Sequence, residues 1–173
     1  MTRTLHLIAA TLLLSATTAA QADLTVQFIE GAPTDSFVMT NTSPCTVPAQ
    51  TVSFDLSTSA AGLIFDVTND GAGVEVFQPL KVVGANPLVL STSTITDGDQ
   101  TLDIQLDQMA PNAQVRVTFD MDDTLKDGDL GQIRVSRSEI EGASVSTSAG
   151  QTQAAALFDA KGMSSLAQRE CAS

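Results

Sequence analysis

Hydrophobic and polar residues alternate with a period of two along most of this 173-residue chain. Leu24, Val26 and Phe28 alternate with Thr25 and Gln27, and Val52, Phe54 and Leu56 with Thr51, Ser53 and Asp55. Leu102, Ile104 and Leu106 alternate with Asp103, Gln105 and Asp107. Val115, Val117, Phe119 and Met121 alternate with Arg116, Thr118 and Asp120. Shorter runs set Leu63, Phe65 and Val67 around Ile64 and Asp66, and Ile133 and Val135 around Arg134. Successive side chains of a strand point to opposite faces, so each run predicts a strand with its apolar face on a core and its polar face in water.

Weaker strand candidates are Ser36 to Asn41, Val74 to Val83, Leu88 to Thr96, Ala143 to Thr147 and Thr152 to Phe158. Turn-forming residues separate the candidates at Gly31-Ala32-Pro33, Asn69-Asp70-Gly71, Asp97-Gly98-Asp99, Pro111-Asn112 and Asp127-Gly128-Asp129. No helical period is sustained. Met163 to Arg169 is expected to form one or two helical turns and nothing longer. Short strands with turns every ten residues or so predict an all-β fold, an antiparallel β-sandwich. The seven phenylalanines are the only aromatic residues, and most lie on the apolar faces, where they are expected to form the core. Phe77, beside Glu75 and before Pro79, is the exception and a candidate contact residue.

The N-terminus changes the compartment. Met1 to Ala22 reads as a secretory signal peptide: Arg3 is its positive end, Leu5 to Ala20 its apolar stretch and Ala20-Gln21-Ala22 its small-residue cleavage site. The expected product is a soluble, secreted or periplasmic domain over residues 23–173, a single sandwich with a short C-terminal tail. Cleavage removes one basic residue and no acid, so 7 basic residues face 20 acidic ones and the net charge is −13. That surface repels nucleic acid and anionic lipid headgroups, and argues against nucleic-acid partners and membrane insertion.

Absent residues narrow the chemistry further. The only histidine, His6, leaves with the signal peptide, and the chain holds no Tyr and no Trp. Ser-His-Asp and Cys-His catalysis and His-ligated metal sites are thereby excluded. Lys81, Lys126 and Lys161 are the only lysines, and none stands in an SxxK arrangement. A hydrolase built on two carboxylates stays open on composition, but sugar-cleaving sites lean on aromatic platforms and only Phe is available. The expectation is a binding protein and no enzyme.

Two cysteines, Cys45 and Cys171, are expected to form one disulfide in an oxidising compartment. Closing so long a loop contributes about 4 kcal/mol by chain-entropy reasoning. The strongest cluster of candidate ligands is Asp120, Asp122, Asp123, Asp127 and Asp129, at the end of a strand and in the loop that follows. Calcium takes six to eight oxygen ligands, and such a loop can supply several. The spacing is not that of an EF-hand, because Leu125 stands where that loop needs glycine and no Glu closes it. The alternative is a solvated acidic turn. Asp97 with Asp99, Asn69 with Asp70, and Glu30 with Asp35 are weaker acidic loops. Asn41-Thr42-Ser43 is a glycosylation sequon.

Two resemblances add to this reading. Val38-Met39-Thr40-Asn41-Thr42, Val52-Ser53-Phe54-Asp55-Leu56, Gly62-Leu63-Ile64-Phe65 and Ala110-Pro111-Asn112-Ala113 leading into Val115 to Phe119 resemble the layout of immunoglobulin-like modules in bacterial surface proteins. A second set of segments covers most of the chain after residue 22. It comprises Asp23 to Pro33 with Asp35 and Phe37, Gly62 to Thr68, Gly71 to Pro79, Asp120 to Thr124 and Ser138 to Ala143. These segments resemble bacterial secreted proteins of the aggregation factor core protein family, similar to the core protein of the sponge aggregation factor. The first resemblance implies an immunoglobulin-like antiparallel β-sandwich. The second implies an adhesion or aggregation module with an extracellular protein or glycan partner, and calcium as the cofactor that would use the aspartate cluster. The alternative function is a calcium-independent carbohydrate-binding or structural module of an exported assembly.

Overall fold

A computed structural model describes residues 24–74, 76–85, 87–125, 130–132 and 134–167. The segment expected to be a signal peptide, Cys171, Asp127, Asp129 and Ile133 lie outside the described residues. The strands within them are β1 (Leu24–Ile29), β2 (Asp35–Asn41), β3 (Gln50–Asp55), β4 (Ile64–Phe65), β5 (Lys81–Val82) and β6 (Val89–Thr92). They continue with β7 (Thr101–Leu106), β8 (Gln114–Phe119), β9 (Met121–Asp122), β10 (Ser144–Ala149), β11 (Thr152–Leu157) and β12 (Met163–Leu166). A 3₁₀ turn at Val83–Ala85 is the single helical piece among the described residues.

Two five-stranded antiparallel sheets form, in the orders β12-β1-β2-β8-β5 and β11-β10-β3-β7-β6, with β4 and β9 as a separate short pair. The β-sandwich expected from the alternation is therefore the fold. Early strands pair with late ones in both sheets, β2 with β8 and β3 with β10, which is the interleaving an immunoglobulin-like layout requires. In β1, β3 and β7 every second residue is buried, so one apolar face of each strand is sealed against the other sheet.

The seal is aromatic at its centre. Phe37 of β2 stacks on Phe54 of β3 with ring centroids 4.2 Å apart and planes only 4° from parallel. Phe119 and Phe158 lie 4.7 and 5.7 Å from the same ring, and Phe28 meets it edge-on at 6.1 Å. Phe65 extends the cluster by a T-shaped contact with Phe119 at 5.4 Å. Aromatic pairs in these geometries add to the area they bury, and the stack ties one sheet to the other through side chains alone.

Several expected elements differ. Leu63 to Val67 contributes only the two residues of β4, and all five side chains are buried, Asp66 included. Of Val74 to Val83, only Lys81–Val82 is a strand, and Leu88 to Thr96 shortens to β6. Val135 is buried but lies in a loop. The expected helical turn after Met163 is instead strand β12. Its Leu166 is buried opposite Leu24 of β1, because a bare sheet edge gains more from a paired strand than a lone turn gains from its few hydrogen bonds.

The sequon is also reassigned. Asn41 is fully buried, and its Nδ2 donates to the carbonyls of Cys45 at 2.7 Å and Met109 at 2.8 Å. Its Oδ1 accepts from the Ser43 amide and hydroxyl. Asn41 is thus a clamp joining two loops, and its amide is not presented to a glycosylating enzyme.

The aromatic stack sets the first expected outcome. Phe37→Ala should lower stability by about 3–5 kcal/mol in chemical denaturation, whereas Leu90→Ala on the exposed rim should stay within about 0.5 kcal/mol. Equal losses would place the core elsewhere.

Candidate functional site

Strand β8 ends at Phe119, and the chain crosses at Asp120 into β9, which pairs with β4. The register sets Ile64 opposite Asp122 and Phe65 opposite Met121, and the Asp66 amide donates to the Asp120 carbonyl at 3.1 Å. Asp66 therefore faces Asp120 across the ladder. Period two puts Asp122 on the same face and sends Met121 and Asp123 to the other. Phe65 and Met121 enter the core, and the aspartates are carried inward with the strand. The side chains of Asp66, Asp122 and Asp123 are all at least 98 % covered.

Residues 68–74, with Phe77, close over this face. The Val74 amide donates to Asp122 Oδ2 at 2.7 Å, and the Val67 and Thr68 amides donate to Asp97 Oδ1 at 2.7 and 2.6 Å. Two glycines make the approach possible. A Cβ on Gly73 would lie 2.7 Å from the Asp66 carboxyl carbon, and one on Gly71 would lie 2.8 Å from Asp97 Cβ. Both residues also adopt positive φ, 146° and 134°. Beneath the loop is an open cleft of about 440 Å³, with Asp66, Asn69, Asp97 and the half-buried Phe77 in its wall.

The electrostatics of this end are one-sided. The single ion pair among the described residues is Arg137 with Glu30, at 3.9 Å. Burial, reinforced by the charges of Asp122 and Asp97, pushes the Asp66 carboxyl up to about 6. Burial followed by the charges of Asp122 and Asp66 brings Asp120 to about 7. Asp35, at the start of β2, is pushed to about 8 by burial and by Asp120, against the pull of the Gly31 amide. Burial also raises Asp122, although the Val74 amide and a hydrogen bond from Asp66 resist it. Asp123 is raised by burial and then by Glu139. At Asp97 burial is overcome by hydrogen bonds from Thr68, Val67 and Asp70, which hold its carboxylate below the ordinary value.

Asp66 Oδ2 and Asp122 Oδ1 receive no hydrogen bond from any N–H or hydroxyl. Burial and the neighbouring Asp122 charge favour the protonated form of Asp66, because two buried carboxylates close together disfavour each other's ionisation. Both oxygens of Asp123 are likewise without a donor.

The five-aspartate cluster is thus divided. Asp120 and Asp122 join Asp66 on one face of β9, Asp123 turns to Glu139 on the other, and Asp127 and Asp129 lie outside the described residues. Among the described residues no three acidic side chains converge as a ready-made metal cage. Asp66 and Glu139 are additions to the sequence reading. Asp66 had a signal, a carboxylate inside the apolar run Leu63 to Val67. Glu139 had none, since only the fold brings its loop to Asp123. Among the weaker acidic loops, Asp97 organises the turn that covers the cleft and Asp35 joins Asp120. Compared with protein-family models, curated proteins and solved structures, the chain gives no significant match.

Protonation sets the pH dependence. Carboxyls raised in the folded chain bind more protons than they do unfolded. Their stabilising contribution is complete below the ordinary value of 3.8 and is lost as pH rises through about 6, 7 and 8 at Asp66, Asp120 and Asp35. In chelator, the unfolding temperature should therefore fall from pH 5 to pH 8. Asp35→Asn keeps the acceptor for Gly31 and removes the titration, so its curve should be flatter. A stability that rises with pH over this range would contradict the assignment.

Proposed function

We propose that the chain is an exported, non-enzymatic adhesion-type module whose acidic end takes up calcium. The observation that carries this reading is the buried Asp66–Asp122 pair: Asp66 Oδ2 and Asp122 Oδ1 have no hydrogen-bond partner, and burial with the charge next to it favours a proton on Asp66. A divalent cation in place of that proton would answer both charges. Asp66 and Asp122 would be its protein ligands, with Asp120 beside them. Asp123, Asp127 and Asp129 remain candidates from the same segment. Hard oxygen ligands and the absence of histidine from the chain after residue 22 favour calcium or magnesium over transition metals. Binding the cation would displace a proton, so affinity should rise from pH 5 to pH 8.

Adhesion is supported by the family resemblance, by the signal-peptide pattern and by the open cleft next to the pair, which would bring a cation within reach of an extracellular protein or glycan partner. A structural disulfide between Cys45 and Cys171 belongs to the same reading, as a tie between the loop after β2 and the C-terminal tail.

Thermal unfolding at pH 8 in calcium, magnesium and chelator tests it. A native-state ligand at a hundredfold excess over its dissociation constant adds about 2.7 kcal/mol. Calcium should raise the transition, and Asp122→Asn should abolish the rise while retaining an acceptor for the Val74 amide. Asp159→Asn, in a distant turn, should leave it intact. Superimposable curves in all three conditions would remove calcium from the proposal.

A further inference from the structure

Four strands end the two sheets, and three of them are poor templates for another strand. β5 is two residues long and β12 is four, while β6 is bulged between Val89 and Ser91. β11 is different. It pairs with β10 in unbroken register from Ser144↔Leu157 to Ala149↔Thr152; β12 of the other sheet packs beside it, but no second strand among the described residues is hydrogen-bonded to it. The Phe158 amide donates to the Ala143 carbonyl at 2.9 Å. Alternation then turns Ala156, Ala154 and Thr152 toward β10, and leaves the N–H and C=O groups of Gln153, Ala155 and Leu157 on the open edge.

Exposed edges are ordinarily blunted by charge, proline, a bulge or shortness. Thr152-Gln153-Ala154-Ala155-Ala156-Leu157 has none of these. We propose that a second copy of this chain occupies the edge, β11 against β11, antiparallel about a two-fold axis through Ala155. Charge permits the meeting here: the whole chain carries −12, yet β11, like β6 and β12, carries nothing, and of these three only β11 is long and unbroken. The adjoining positions on the outer face are Ser144, Ser146 and Ser148, and Asp55 lies beyond Ser144, two strands in.

Shape selects the same arrangement. Leu157 is 63 % exposed, the most exposed large apolar side chain among the described residues. Ala155, Ser146 and Ser53 leave a shallow depression of about 400 Å³ beside Gln153. A two-fold through Ala155 sets Leu157 of each copy next to Gln153 of the other, at the margin of that depression. Only methyl groups meet at the axis. Knob and hollow are thus on one strand and are exchanged twice, as an isologous contact requires.

Sedimentation of residues 23–173 at rising concentration, in calcium and in chelator, tests this independently of the cation. A dimer is expected in both conditions. Leu157→Lys should make the protein monomeric without moving its unfolding temperature at concentrations too low for the dimer to form, and Ala155→Pro should abolish the dimer by removing an outward N–H. If Ala155→Pro does not fold, Leu157→Lys decides alone. A monomer at every concentration overturns the proposal. So does a dimer that survives Leu157→Lys, or one that forms only with calcium, since either assigns the contact to another surface.

Discussion

The acidic end depends on one cross-strand pairing, Asp66 against Asp120 on the β4–β9 ladder. Like charges opposite each other on a sheet repel, and among the described residues no ion pair answers them. What holds them together is the hydrophobic gain next door. Phe65 and Met121, on the other face of the same two strands, are fully buried, and Phe65 packs edge-on against Phe119. The core therefore forces the carboxyls into contact, and they adjust by holding protons that free aspartates would release. Stability and charge state are coupled at this place because the two faces of a short strand cannot move separately.

The covering loop follows from the same constraint. Main-chain amides supply positive potential there, directed at Asp97 and Asp122. Glycine at positions 71 and 73 allows the backbone to come near enough to do so. The amides hold the Asp97 carboxyl below its ordinary value, whereas Asp66, lacking a comparable set, is pushed up to about 6. Aspartates of identical chemistry thus differ in role according to how many N–H groups reach them.

Much of the sandwich was legible in the sequence because its strands are half buried. Period two in β1, β3, β7 and β8 is the direct imprint of one wet and one dry face. The same logic failed where burial is two-sided. Leu63 to Val67 is apolar except at Asp66, and that aspartate is as dry as its neighbours; the reading by period two placed it on a polar face. β12 was illegible for another reason: Met163 to Leu166 is a strand because β1 has a free edge, a fact located 140 residues away in the chain. The sequon at Asn41 misled because a motif states what an enzyme could recognise and not whether the amide is already bonded. For the aspartates from 120 onward, the sequence reading grouped by proximity along the chain what strand alternation then separated.

β1 and β12 lie side by side, with Leu24 opposite Leu166, so the first and last strands described begin and end at the same point. A pull applied across those two ends would peel β12 from β1 one pair at a time, starting at Leu24, instead of shearing all four pairs together. The domain is accordingly weak as a link strung between its ends. It also cannot complete its first sheet until β12 has been supplied, so the sheet closes only when the chain up to Leu166 is available.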